Sequence, residues 1–153
     1  MQGRCHWFCA TVLIWAGAAG GVRAQTTYTW TGGGSTSNFS DTGNWGGANG
    51  NQVGIQAFSG TTRLNPYADG TGTFITHRLY FLDGAGAFVL SGREITLSDY
   101  GGADPTIRNL GTNVQTILNN LRGDSTANDD PLRVQANAGD IVLAAVGEGA
   151  DRI

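Results

Sequence analysis

Few residues of this chain are equipped for chemistry, and each has a definite alternative as structure. Beyond residue 24, His77 is the only histidine. A lone imidazole can act as a general base, but beside Arg78 at a strand edge it reads as a surface residue. Asp129 and Asp130 stand together in "ANDDP", and two carboxylates can serve as acid and base on a glycosidic bond. Adjacent residues of a strand point to opposite faces and Pro131 follows, so a turn capped by an Asp side chain is the simpler reading. Asp83, Asp99, Asp124 and Asp140 recur near expected corners, where oxygen-rich turns can hold calcium. The Gly-Gly-x-Gly-x-Asp repeat that does so in other secreted chains is missing, and an Asp bonded to its own turn explains the positions equally well. Tyr28, Trp30 and Trp45, with Phe39, cluster early in the chain. They form either a platform on which a sugar ring stacks or a hydrophobic lid over one end of a β-structure.

The missing residue types are equally informative. No lysine occurs anywhere in the sequence, which removes Schiff-base chemistry and the phosphate-binding lysine of P-loops. Both cysteines, Cys5 and Cys9, precede residue 24, so nothing after it offers a thiolate or an internal disulfide. One histidine is too few for an ordinary zinc site, and no serine lies in a G-x-S-x-G elbow. Gly84 and Gly86 mimic the start of a dinucleotide-binding loop, but the third glycine and the following helix are lacking. Arg122, Gly123 and Asp124 spell an integrin-type tripeptide, for which chance suffices in a chain this rich in Gly and Asp. The inventory predicts no catalytic residues, no metal and no cofactor.

The elements that would position any site begin after a leader. Arg4 opens an uncharged run from Trp7 to Val22, and small residues at Val22 and Ala24 flank Arg23. That layout predicts a secretory signal peptide over residues 1–24, cut before Gln25. The run is shorter than the roughly 20 strongly apolar residues a membrane span needs, and neither cysteine stands at the cut, as a lipoprotein requires. Removing 24 of the 153 residues leaves 129, enough for one domain with a core. Of nine Arg, Arg4 and Arg23 leave with the leader, so 7 remain against 12 Asp plus Glu and the net charge is near −5. An acidic chain repels phosphate backbones and anionic lipid, which predicts no nucleic-acid partner and no membrane insertion of the mature chain.

Abundant Gly, Thr, Asn and Ser, with glutamate only at Glu94 and Glu148, favour strands and turns over helices. Strands are expected at Thr27 to Thr31 and near Val53 to Phe58, with a Gly-rich link at Asp69 to Thr73. In "RLYFLDGAGAFVLSGREITLSD" the pairs Leu79 and Phe81, Phe88 and Leu90, Ile95 and Leu97 each point to one face. Ile107 to Leu132 is 25 positions and Ile117 to Ile141 is 24, a period that marks a solenoid. The fold expected is all-β: a parallel β-helix with an irregular N-terminal β cap and the first rungs over residues 25–73 and further rungs over 74–153. Gly and Asn, notably Asn119 and Asn120, would sit at corners needing φ > 0. Because "DGAG" can close a hairpin, an antiparallel β-sandwich is the alternative.

Taken together, these segments resemble the autotransporter-associated β-strand repeat proteins of bacteria. "TYTWTGGG" and "TGNW" look like their entry segment, "FSGTTRLNP" like the piece that follows, and "LYFLDGAGAFVLSGREITL" and "NVQTILNNL" like successive repeats. The resemblance covers roughly Thr27 to Leu121. It implies a right-handed β-helix passenger, surface-exposed or released, with no catalytic residues to carry over. After Leu121 the sequence is more charged than such repeats, which suggests an N-terminal fragment.

The function expected is therefore a secreted, non-enzymatic β-helical module, structural stalk or adhesin-like, in the periplasm, at the cell surface or in the medium. Its partners would be surface glycans or other cell-surface proteins. A carbohydrate-binding module using Tyr28, Trp30 and Trp45 is the second reading. A polysaccharide-acting β-helix enzyme using Asp129 and Asp130 is the third.

Overall fold

The computed structural model describes residues 24–124 and 131–144. Nearly all of the expected leader, together with Asp129 and Asp130, lies outside the described residues. Twelve short strands follow one another: β1 (Thr27–Trp30), β2 (Ile55–Phe58), β3 (Tyr67–Ala68), β4 (Phe74–Thr76), β5 (Arg78–Phe81), β6 (Val89–Gly92), β7 (Ile95–Ser98), β8 (Thr106–Asn109), β9 (Gln115–Ile117), β10 (Leu121–Asp124), β11 (Arg133–Ala136) and β12 (Ile141–Leu143). From β2 onward every third strand returns to the same sheet, and β1 pairs directly with β2. Sheet A runs β1-β2-β5-β8-β11, sheet B runs β3-β6-β9-β12 and sheet C runs β4-β7-β10. All strand pairs are parallel. The chain is a β-solenoid of about four turns, and the antiparallel sandwich is excluded. "DGAG" turns a corner between β5 and β6, Gly84 supplying φ 75°, and closes no hairpin.

Alternation within each strand builds the core. In sheet A, one inward column is Tyr28, Gln56, Leu79, Ile107 and Val134; the next is Trp30, Phe58, Phe81, Asn109 and Ala136. Leu79, Phe81, Phe88, Leu90, Ile95 and Leu97 are all buried in one cluster, as their spacing predicts. Phe58 and Phe81, one coil apart, stack with ring centres 5.2 Å apart and planes 24° off parallel. The last coil's inward positions are less covered: Val134 and Leu143 are 45% and 37% exposed, although their register partners Ile107 and Ile117 are fully buried.

Three expectations need correction. Ile107 pairs with Val134, not Leu132, and Ile117 with Leu143, not Ile141. The coil is thus 27 and 26 residues at these points, because it is the corners, not the strands, that vary in length; between β2 and β5 it is only 23. The second strand begins at Ile55 and not Val53. Asn119 and Asn120 have no positive φ. Among the described residues the only non-glycine with one is Arg63, at 50°; the buried asparagines act through their side-chain amides instead. No helix among the described residues is long and apolar enough to cross a membrane.

Candidate functional site

Of the aromatic residues proposed as a sugar platform, Tyr28 and Trp30 lie on β1 and Trp45, with Phe39, in the segment joining β1 to β2. Trp30 is 0% exposed and Trp45 is 4% exposed; only Tyr28 is partly open to solvent, and it packs against the core. Trp30 and Trp45 meet edge to face at 5.1 Å, Trp45 and Phe39 likewise at 5.2 Å, and Phe39 and Phe74 at 5.4 Å. A stacking platform needs an exposed ring face, and neither tryptophan has one. The cluster closes the N-terminal end of the coil, where edge-to-face rings add about 0.5–1.5 kcal/mol per pair beyond area burial.

Polar side chains hold this lid in place. Asp41 caps a short 3-10 helix, Thr42–Trp45. Its Oδ2 accepts from the Ser35 and Thr36 N–H groups at 2.8 Å and from both hydroxyls at 3.0 Å, while Oδ1 accepts from Gly43 N–H. Buried Asn44 donates to the carbonyls of Thr36 and Asn38 and accepts from Gly34 N–H. Gly50 is required by close approach, since a Cβ there would enter the Trp45 indole. The Thr36 N–H, with the Thr36 and Ser35 hydroxyls and the Gly43 N–H, outweighs partial burial and lowers the Asp41 pKa to about 2 from 3.8. A carboxyl depressed in the folded state contributes stability above pH 3.8, and that contribution disappears as pH falls through 2. Wild type should therefore melt above an Asp41→Asn variant at pH 5, and the gap in Tm should close between pH 4 and pH 2. A gap as wide at pH 2 as at pH 5 would contradict this assignment. Asp69 is held below its usual range too: burial works upward, but the Ser40 hydroxyl and N–H, at 2.5 and 2.9 Å, prevail.

His77 is not the surface residue its neighbours suggest. It lies at the corner between β4 and β5, 9% exposed, with Nδ1 at 3.1 Å from the Ser98 carbonyl oxygen and 3.0 Å from Ser98 Oγ. Tyr100 covers its ring at 4.8 Å. Nδ1 donates to the carbonyl in one tautomer and accepts from the Ser98 hydroxyl in the other, and in either the contact ties the corner to β7. The signal that sequence reasoning missed is the register: β7 lies beside β4, which sets Ser98 one position past the Leu97 that faces Thr76.

The other candidates do not converge. Asp83 and Asp140 are exposed at separate corners and Asp99 is half-buried; the side chain of Asp124 lies outside the described residues. Among the described residues no group of three His, Cys, Asp or Glu could hold a metal ion. The buried polar side chains instead bond the coil's own backbone. Gln115 donates to Gly86 O and accepts from Phe88 N–H of the preceding coil, and Asn119 donates to Arg93 O. Gln56 donates to the Gln52 carbonyl and accepts from Thr76. The outward side of sheet A carries a different pattern: Arg78, Arg108 and Arg133, with Tyr80, on three neighbouring strands. Comparison with protein families, curated proteins and solved structures found no match to this chain.

Proposed function

We propose that this chain is a non-enzymatic, exported β-solenoid module, a stalk or adhesin-like passenger of the kind its sequence resembles. The observation that carries the reading is where the buried polar groups are used. Asn44, Gln56, Asn109 and Gln115 each bond the carbonyls of their own or the adjacent coil. Those bonds fix the stacking of a scaffold, and a buried amide so engaged is not free for substrate. Parallel strands in all three sheets leave the long outer faces as the surface that partners would meet.

Export rests on the leader expected over residues 1–24. Expressed in full in a Gram-negative host, the protein should be recovered outside the cytoplasm with Gln25 at its N-terminus, as read by intact mass. Recovery in the cytoplasm with the first 24 residues retained would overturn the reading. The coil itself is tested separately, by the variants below.

A further inference from the structure

We infer that the outer face of sheet A is a binding face for an anionic polysaccharide, whose carboxylate or sulfate groups are held by Arg78, Arg108 and Arg133 with a sugar ring against Tyr80. Register places the four residues together. Arg78, Thr106 and Arg133 are neighbours across β5, β8 and β11, and Tyr80, Arg108 and Gln135 are neighbours two positions further along the same strands. At about 4.8 Å between strands and 3.3 Å per residue, the backbones of Arg78 and Arg133 stand about 10 Å apart, with Arg108 offset between them. Tyr80 and Arg108 are side by side and half-buried.

Three features make this more than an incidental surface. First, the chain has an excess of acid, 12 Asp plus Glu against 9 Arg, yet no carboxylate occupies an outward position on β1, β2, β5, β8 or β11. Second, the guanidinium groups are poorly matched within the protein. Among the described residues Arg108 Nε is buried without a partner, and the side-chain bond of Arg78 goes to the neutral amide of Gln25. Arg133 meets Asp104 through Nε alone, leaving its terminal nitrogens. Third, a guanidinium fork matches carboxylate and sulfate geometry, and the outward, half-buried ring of Tyr80 beside it offers an apolar edge to a pyranose. Charges spaced along a flat ladder fit a polymer whose anions recur at intervals. Duplex DNA presents one charge per about 1.7 Å and is read in grooves that a flat sheet does not enter. The choice of glycan over nucleic acid rests on the exported reading proposed above; the binding face itself does not.

Purified protein, leader removed, would be tested against polygalacturonate, heparin, neutral dextran and oligo-dT. Salt-sensitive binding to one or both anionic polysaccharides is expected, with none to dextran; polygalacturonate and heparin separate carboxylate from sulfate recognition. Arg108→Gln should weaken binding about tenfold, the loss of one charge-assisted bond, with an unchanged melt. Arg122→Gln, the same charge change on sheet C, should weaken it less than twofold. The proposal falls if Arg122→Gln weakens binding as much as Arg108→Gln, if dextran binds equally, or if neither polysaccharide binds. Tighter binding of oligo-dT would overturn it in favour of nucleic acid. Failure of export would leave these outcomes readable, since they use purified protein.

Discussion

Replacing Phe81 by alanine is expected to cost about 3–5 kcal/mol of stability, the range for removing a fully buried phenylalanine. Phe81 is fully buried, stacked on Phe58 from the coil before and 6.2 Å from Phe88 across the interior. A solenoid coil touches only its neighbours, so no distant part of the molecule can collapse into the cavity. Against a typical total of about 5–15 kcal/mol, this should lower Tm by more than about 10 °C. The neighbouring Tyr80 points outward and is half-buried, so in urea titrations of the two variants Tyr80→Ala should cost less than half as much as Phe81→Ala. A larger loss at Tyr80 than at Phe81 would mean that the strand is inverted and that the inward columns of sheet A are misassigned.

Alternation was legible because it acts within one strand. Leu79 and Phe81, or Ile95 and Leu97, need only the two-residue period of extended chain to be assigned to one face, and the structure buries all four. Coil length was less legible, since it depends on how many residues each corner absorbs. The corner from β7 to β8 holds seven residues, 99–105, with its own small bridge between Tyr100 and Ala103, whereas β4 and β5 are separated by His77 alone. Such variation is set by local turn chemistry and blurs any fixed period. It also hides the arginine face: Arg78, Arg108 and Arg133 are spaced 30 and 25 positions apart, and only the register brings them together.

The aromatic cluster shows the same division. Composition brings Trp30, Phe39 and Trp45 near one another in sequence, but whether rings lie outward or inward depends on what Asp41 and Asn44 do to the intervening loop. Glycines 34, 43 and 50 permit that loop to fold tightly, since a Cβ at any of them would collide with a lid group. His77 was misread because a strand edge looks exposed until the Tyr100 corner is laid across it.

Buried amides were the least legible feature, and Asn109 is the sharpest case. It follows Trp30, Phe58 and Phe81 in an inward column, where sequence reasoning expects an apolar residue. Its Nδ2 donates to the carbonyls of Asn113 and Gly139 at 2.8 Å and of Asp140 at 3.2 Å, while Oδ1 accepts from Gly111 N–H at 3.1 Å. One side chain therefore ties the corner after β8 to the corner after β11. Asn109→Leu keeps the volume but leaves these backbone groups without partners, and a buried unsatisfied group costs about 1–3 kcal/mol. The expected loss is about 3 kcal/mol, concentrated in the last coil. Hydrogen exchange should show it directly. The amides of Asn137 and Gly139, which donate to Asn109 O and Gly111 O, should exchange faster in the variant, while Leu82 N–H, bonded to Phe58 O one coil earlier, should change little. If Asn109→Leu matches wild type in urea and leaves the Gly139 amide as protected as before, apolar packing alone sets the coil's register and the amide contributes nothing. If Leu82 is deprotected equally, the coils unfold as one unit and Asn109 acts on the whole stack.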